Sequence, residues 1–319
     1  MDNTDTGLLV KIAIPHLIKF ADKFAGIEVH LPVNGKYVKL NYSQDHFIDI
    51  LRKLQQKDVH EVFVKEADCR AVLEQMEKSL SAQSFYDPNT VNEQRVETVN
   101  AAMETVKGVI NQLGVEPETV RLLKTINNRA MTLLSESPSI FAFIKQFKKN
   151  CSEEFLLSIL TNYIMSLVID KFPWRSEQVK EKGALASMMC DMILTKEDFQ
   201  VLRNWKKNGG ELPEHIRRHP SDIADNLKKN RVLIPIETIT IIEQHHELPD
   251  GKGFPMGISS NRFNQLSAIF IVSQQFSEQL HDAAYNYEKR SEILENIRRV
   301  YGSSKMFEKA IIALSRVVN

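Results

Sequence analysis

The stretch Gln244-His245-His246-Glu247-Leu248-Pro249-Asp250-Gly251-Lys252-Gly253-Phe254-Pro255 places two adjacent imidazoles and an acid just before a glycine-rich turn. Adjacent histidines on a helix point about 100° apart, so two metal ions, or a metal ion and a phosphate, can use both rings. Gly251 and Gly253 allow a tight loop whose backbone approaches a ligand closely. Upstream, His215 and His219 share one helical face because they are separated by one helical turn. The combination predicts a site for metal ions beside a tight loop.

These residues resemble the HD-GYP family of cyclic-di-GMP phosphodiesterases. The family signature, His-His-Glu-x-x-Asp-Gly-x-Gly-Tyr-Pro, is matched from His245 to Pro255, with Phe254 in place of the tyrosine. A His-Pro element one helix earlier is matched by His219-Pro220. The resemblance covers roughly residues 150–319. It implies an all-helical domain of the wider HD superfamily that holds two or three iron or manganese ions and releases a linear dinucleotide or GMP.

Several positions that bind metal or substrate in the family hold other residues in this chain. Carried over by the resemblance, the changed positions are Ser158 and Cys190 for histidines, Leu194 for a lysine, Gln274 for an aspartate, and Ala283 and Asn286 for two arginines. The loss of both arginines removes bidentate recognition of phosphate. The loss of the other groups leaves poor support for two cations, because Ser158 and Gln274 are weak neutral donors.

The resemblance also assigns the ligands that remain, which are Asp191, His219, His245, His246 and Glu154. Asp191 would bridge two ions in the family and is the catalytic candidate if the chain is active. The remaining set could hold one divalent ion (iron, manganese or zinc) or none. Cys190 could bind as a thiolate, which favours zinc, or could be a small core residue in an apolar helix. Glu154 could instead act on the helix dipole.

Two functions follow from this comparison. In the first, the chain is a degenerate HD-GYP-like protein, a catalytically impaired binding or signalling module in cyclic-di-GMP signalling. In the second, it is a divergent metal-dependent cyclic-di-GMP phosphodiesterase. The resemblance also implies a protein partner such as a GGDEF-domain protein, contacted through the loop residues Glu247, Asp250, Gly251, Gly253, Phe254 and Pro255.

The other histidines lack ligand spacing. His215 is expected to be a solvated surface residue, and His16, His30, His46, His60 and His281 are expected to be surface or structural. Phe254 is expected to pack under its loop, where it lacks the hydroxyl of the family's tyrosine. Met188 and Met189 are expected in the core.

Composition narrows the function classes. Lys and Arg together number 41, as do Asp and Glu, so there is no net field to attract nucleic acid or an anionic membrane. The three cysteines form no CxxC pair, which fits a reducing cytoplasm. The acidic, polar N-terminus does not resemble a signal peptide, and no apolar run reaches the roughly 18 residues of a membrane span.

The pattern of apolar and polar residues predicts a small α+β module at residues 1–85. Alternating residues at 27–33 and 36–42 flank Asn34-Gly35, a strong hairpin turn. A helix from Phe47, a strand at 59–64 and a helix at 67–80 follow. This module has no catalytic set, so a sensory, protein-interaction or purely structural role is expected.

The rest of the chain predicts helices, with a connector at 86–149 and the HD-GYP-like domain at 150–319. The boundary is placed at 81–90, before a helix start at Asp87-Pro88-Asn89. Ser152 and Thr195 are predicted helix caps, and the stretches 266–280 and 291–318 are helical. The secondary structure of residues 233–242 is not decided by the sequence: their β-branched side chains favour a strand, and Pro235 favours a helix start.

Overall fold

A computed structural model describes residues 8–20, 26–43, 46–82, 85, 92–229 and 233–318. The protein is mainly α-helical, with one four-stranded antiparallel sheet near the N-terminus, which confirms the predicted fold class. Two compact units are present, one comprising residues 1–136 with 149–151, the other residues 137–148 with 152–319. The three-part layout drawn from the sequence stays a prediction. Its boundary at 81–90 and the helix start at 87–89 lie largely or wholly outside the described residues.

The sheet belongs to the first unit. Its strands are β1 (Leu9–Ala13), β2 (Val29–Val33), β3 (Lys36–Lys39) and β4 (Glu61–Lys65), in the order β1-β4-β2-β3. Asn34 and Gly35 join β2 to β3 with φ values of 48° and 77°, as the predicted hairpin turn requires. Strand β1 was not predicted from the sequence, although Val10 and Ile12 alternate with more exposed neighbours. It pairs with β4, with Val10 opposite Val64.

The helices of the first unit are α1 (Ile14–Ile18), α2 (Phe47–Gln56), α3 (Glu66–Ser81), α4 (Asn92–Leu113) and α5 (Pro117–Glu136). Helix α4 ends at Gly114, whose φ of 89° suits a residue without a side chain. The Gln112 amide bonds both the N–H and the C=O of Lys11, so it covers part of the β1 edge.

In the residues that the structure describes, the second unit consists of helices and connecting loops, with one isolated β-bridge between Asp250 and Ser259. Its helices are α6 (Ile140–Asn150), α7 (Glu153–Ile169), α8 (Glu177–Met189), α9 (Lys196–Asn208), α10 (Glu214–Lys229), α11 (Ile236–Gln244), α12 (Gln265–Asp282), α13 (Arg290–Tyr301) and α14 (Lys305–Val318). Helix α7 packs against α8, α12 and α14. The stretch predicted as helical from 291 to 318 is interrupted at Gly302, where α13 ends.

Two predicted helix starts agree with the observed caps. The Ser152 hydroxyl accepts a hydrogen bond from the N–H of Phe155 at the start of α7. Thr195 and Asp198 cap each other reciprocally at the start of α9. These caps set where α7 and α9 begin.

The sequence left residues 233–242 undecided between a strand and a helix. The structure shows a helix from Ile236, because α11 begins directly after Pro235. Ile239, Ile241 and Ile242 are fully buried, since α11 packs against α8, α10 and α12. Burial on several sides therefore overrides the strand preference of β-branched residues. In the part of the chain that the structure describes, every helix is too short or too polar to cross a lipid bilayer.

Candidate metal centre

Four potential ligands from three parts of the second unit converge at one point. Asp191 follows the end of α8, His219 lies in the middle of α10, and His245 and His246 follow the last residue of α11. One ligand atom from each lies within 4.8 Å of all the others. The three imidazole side chains are buried, and the Asp191 side chain is 18% exposed. The structure therefore brings together four of the five ligands that the resemblance assigned, and this group could hold a metal ion.

The proline after His219 orients the histidine ring. Pro220 lies inside α10 and has no N–H, so the carbonyl of Ile216 lacks its usual helical donor. The Nδ1 of His219 lies 2.6 Å from that carbonyl oxygen and donates to it. The proton on Nδ1 leaves Nε2 with a free lone pair directed at the cluster.

His245 is oriented in the same way at the end of α11. Its Nδ1 lies 2.7 Å from the carbonyl oxygen of Ile242, in the last turn, where carbonyls have no intrahelical donor. Its Nε2 then lies 3.2 Å from the Nε2 of His219. Both nitrogens are acceptors in the neutral tautomers that the backbone selects, so neither can donate to the other.

A single cation fits this arrangement of acceptors. Two nitrogens that are each about 2.1 Å from one ion lie about 3.0–3.4 Å apart, which matches the observed separation. The Nε2 of His246 is buried and has no hydrogen-bond partner, as expected of a ligand atom. Without an ion, the Nε2 lone pairs of His219 and His245 would face the Asp191 carboxylate with no proton between them.

The electrostatics of the cluster favour neutral rings at His245 and His246 beside one carboxylate. Burial lowers the pKa of His245, and it lowers the pKa of His246 well below the usual range, with the neighbouring His245 adding to that effect. Burial alone would raise the pKa of Asp191. The three imidazoles that face its carboxylate outweigh burial and hold that pKa well below the usual value.

Glu247 supports the loop that follows the two histidines. It is fully buried, and its carboxylate accepts hydrogen bonds from the backbone N–H groups of Met256, Gly257 and Ile258 at 2.6, 3.1 and 3.0 Å. A carboxylate with three such donors is a structural anchor, and it closes the loop over residues 248–258.

The loop itself requires its glycines. A Cβ on Gly253 would lie 2.2 Å from the Leu248 nitrogen and 2.4 Å from the Glu247 Cα, so no other residue fits there. Gly251 has a φ of 77°. Asp250 is exposed, and its side chain accepts a hydrogen bond from the Lys252 N–H within the loop. Pro255 is half-buried.

Phe254 packs beneath the loop, as expected from the sequence. Its ring is 2% exposed and lies 4.7 Å, centroid to centroid, from His246. It belongs to an apolar cluster that also contains Leu194, Leu202, Leu212 and Ile216, with Trp205 against it. Phe254 and Leu194 are two of the positions at which the chain departs from the HD-GYP pattern, so both departures lie in one apolar wall.

A small cavity of about 20 Å³ lies on the other side of Asp191. That volume is enough for about one water molecule. Its polar lining consists of Glu154, Ser158, Thr161, Ser187, Cys190, Asp191, Gln274 and Glu278. Burial, with the adjacent Asp191 charge, raises the pKa of the Cys190 thiol well above its usual value, so the thiol is neutral. Ser158 donates its hydroxyl proton to the Glu154 carbonyl.

The remaining predicted positions lie elsewhere. Among the described residues that line the cavity, neither Ala283 nor Asn286 occurs. Asn286 caps a short 3-10 helix at Tyr287–Lys289. His215 is exposed and pairs with Asp198 at 2.7 Å. Met188 and Met189 are buried, 2% and 1% exposed.

The sequence did not identify Glu278, a charged residue that lines the cavity, or its partner Lys206. Lys206 donates to Glu278 across helices α9 and α12, at 2.8 and 3.0 Å. They lie far apart along the chain, and no local pattern links them. The only available signal was the position of Glu278 one helical turn after Gln274.

The comparisons with known proteins bear on the fold. Neither a family model nor a curated protein matches the sequence. A solved structure, Bd1817, a HDG"Y"P protein from Bdellovibrio bacteriovorus, matches with a TM-score of 0.52 and 11% sequence identity. The match covers 98% of this chain and 99% of that chain, well beyond the residues 150–319 of the sequence resemblance. The predicted resemblance is thereby confirmed at the level of the fold: this chain folds as an HD-GYP protein does.

Proposed function

We propose that this protein is a catalytically impaired HD-GYP-like binding or signalling module that holds one divalent metal ion at Asp191, His219, His245 and His246. One observation carries the proposal: among the described residues, the imidazole ligand atoms converge on one side of Asp191. On the other side, Ser158, Cys190 and Gln274 are neutral, and of the two further carboxylates there, Glu154 and Glu278, the second is paired with Lys206. A second catalytic cation needs anionic or imidazole ligands there.

The ligand set suits a borderline ion. Three imidazole nitrogens with one carboxylate oxygen are ligands that zinc and iron accept, and manganese accepts the oxygen more readily. Iron and manganese are also the ions that the family resemblance implies. Cys190 does not contribute a thiolate in this proposal, because its sulfur lies near Oδ2 of Asp191 and is not among the converging ligand atoms.

The cavity also argues against hydrolysis of cyclic-di-GMP. Pockets that enclose small ligands measure about 300–1,000 Å³, whereas this cavity measures about 20 Å³. Arginines that would grip phosphate are absent at Ala283 and Asn286. The module would therefore act in cyclic-di-GMP signalling by binding a protein, such as a GGDEF-domain protein, through the loop that carries the exposed Met256. Three free cysteines suit action in the reducing cytoplasm.

Metal analysis and a hydrolysis assay test the proposal together. Protein purified without chelators should contain one ion of iron, manganese or zinc per chain. Cyclic-di-GMP incubated with it and each added metal should be cleaved no faster than with Asp191→Asn protein. Two ions per chain with turnover above that control would establish the alternative, a divergent metal-dependent phosphodiesterase.

A further inference from the structure

Lys206 places a fixed positive charge beside Glu278, a residue that lines the cavity. It extends from α9, and its ammonium contacts both oxygens of the Glu278 carboxylate. The two side chains are 21% and 14% exposed, so water screens the pair only in part. Glu278 and Asp191 line the same cavity. The ammonium therefore belongs to the charge balance of the metal centre.

That charge balance is consistent with one divalent ion. The cavity lining carries three carboxylates, Glu154, Asp191 and Glu278. Imidazoles bind metal in their neutral form, so the three histidines add no charge to this count. Three negative charges and one positive charge from Lys206 leave two negative charges, which one divalent ion neutralises. A second divalent ion would leave an excess of two positive charges in a largely buried space.

Oxygen atoms that could bind another cation are nevertheless present near Lys206. The Gln274 side chain is 5% exposed, and its Oε1 is buried without a hydrogen-bond partner. Gln274 precedes Glu278 by one turn of α12, so both lie on one helical face with Glu154 across the cavity. These oxygen ligands suit a hard cation once Glu278 is released from Lys206.

We propose that Lys206 is the second positive charge of this centre, and that its bond to Glu278 limits the centre to one divalent ion. This inference rests on the proposed one-ion function. An ammonium attached to the chain cannot be exchanged or chelated, so it neutralises Glu278 permanently. It provides no open coordination position, in contrast to a metal ion at the same place.

The plainer interpretation is that Lys206 and Glu278 only tie α9 to α12. A partly exposed ion pair of this kind contributes about 0–1 kcal/mol to stability. That interpretation predicts that removal of the lysine charge changes stability slightly and leaves metal stoichiometry unchanged. The number of ions bound therefore separates the two interpretations.

The test counts Mn²⁺ bound per chain after metal-free protein is loaded and desalted. Wild type should hold one ion. Lys206→Met keeps the apolar stem but removes the charge, and it should hold two. Lys206→Arg keeps the charge and should hold one. The double variant Lys206→Met/Glu278→Gln restores two negative charges and should return to one.

Lys207→Met is the matched control, because Lys207 is adjacent, half-exposed and paired with Asp282 at 3.0 Å; it should hold one ion. Lys206→Gln replaces Lys206→Met if that variant does not fold. One ion in the charge-removed variant, or two in the double variant, overturns the role of Lys206 while the one-ion function stands. Wild type with no ion or two ions overturns both proposals.

Discussion

The two carboxylate oxygens of Asp191 face two different environments. Oδ1 lies 3.1, 3.4 and 3.7 Å from the Nε2 atoms of His219, His245 and His246. Oδ2 lies 3.5 Å from the Cys190 sulfur, towards a cavity with room for about one water. The imidazole side is built by α10, α11 and their loop, and the cavity side by α7 and α12. Because different helices build the two sides of Asp191, substitutions can remove metal ligands from the cavity side while the imidazole side keeps its three histidines.

The sharpest test of this contrast compares one substitution on each side. Asp191→Asn removes the anion of the imidazole side, and metal affinity should fall about a thousandfold, or about 4 kcal/mol. Ser158→Ala on the cavity side should change affinity less than about threefold, since its hydroxyl bonds the Glu154 carbonyl. Competition with a chromogenic chelator measures both. Equal losses in the two variants would show that the cavity side also holds the ion.

The imidazole side depends on a loop that tolerates no added atom. Gly253→Ala would place a Cβ against backbone atoms of Glu247 and Leu248, and it should lower the free energy of unfolding by about 3–4 kcal/mol. Gly108→Ala is the control: in the middle of α4 its Cβ meets nothing within 4 Å, and a stabilisation of about 0.4–1 kcal/mol is expected. Urea unfolding measures both. A Gly253→Ala protein of wild-type stability would contradict the loop geometry.

The Glu247 carboxylate should matter more than a surface carboxylate on the same segment. Glu247→Gln turns one acceptor into a donor that faces backbone N–H groups, and it should cost about 2–3 kcal/mol of unfolding free energy. Glu243→Gln removes a partly exposed pair with Lys228 and should cost at most about 1 kcal/mol. Chemical denaturation of the two variants side by side decides the point; similar costs would rule out the anchor role.

Low pH should lower the free energy of unfolding of the metal-free protein, because of the buried histidines of the imidazole side. Burial lowers the pKa of His245 and His246, so the folded state keeps them neutral below pH 6.5, where unfolded histidine takes up a proton. The unfolded state then binds more protons, and stability falls as the pH falls. The expected loss is up to about 1.4 kcal/mol per pH unit for each histidine. Asp191, with its lowered pKa, adds a loss only as the pH falls through and below about 4.

Denaturant midpoints between pH 7.5 and 5 in the presence of a chelator measure this slope. His246→Gln should reduce it by about half, because one of the two buried titrating rings is gone. A wild-type protein with a flat profile over this range would mean that the rings are protonated in the folded state.

Local motifs predicted the parts of the site that local geometry builds. The His-Pro and His-His pairs anticipated the buried rings because the backbone within three residues orients each ring. Glu247 was assigned to the loop, but its three partners lie nine to eleven residues later and follow no simple period. The contact between Lys206 and Glu278 joins helices that are distant in the chain, and only the folded structure reveals it.

The same holds for the fold: local elements could be predicted from the sequence, and elements that depend on distant residues could not. The hairpin at Asn34-Gly35 was predictable, because its turn chemistry is local. Strand β1 was missed because five residues carry too short a pattern, and its partner β4 lies about fifty residues later. The helix at α11 could not be settled by propensity, since burial against three neighbouring helices decides it.

Pro220 is useful to this protein for what it lacks. Because it supplies no amide proton, it leaves a vacant acceptor one turn back, and the preceding ring takes that acceptor and is aimed by it. His219 and Pro220, as adjacent residues, therefore fix the orientation of the imidazole ring together. Engineers who wish to fix the tautomer of a buried histidine in a helix can copy that dipeptide without designing a separate partner for the ring.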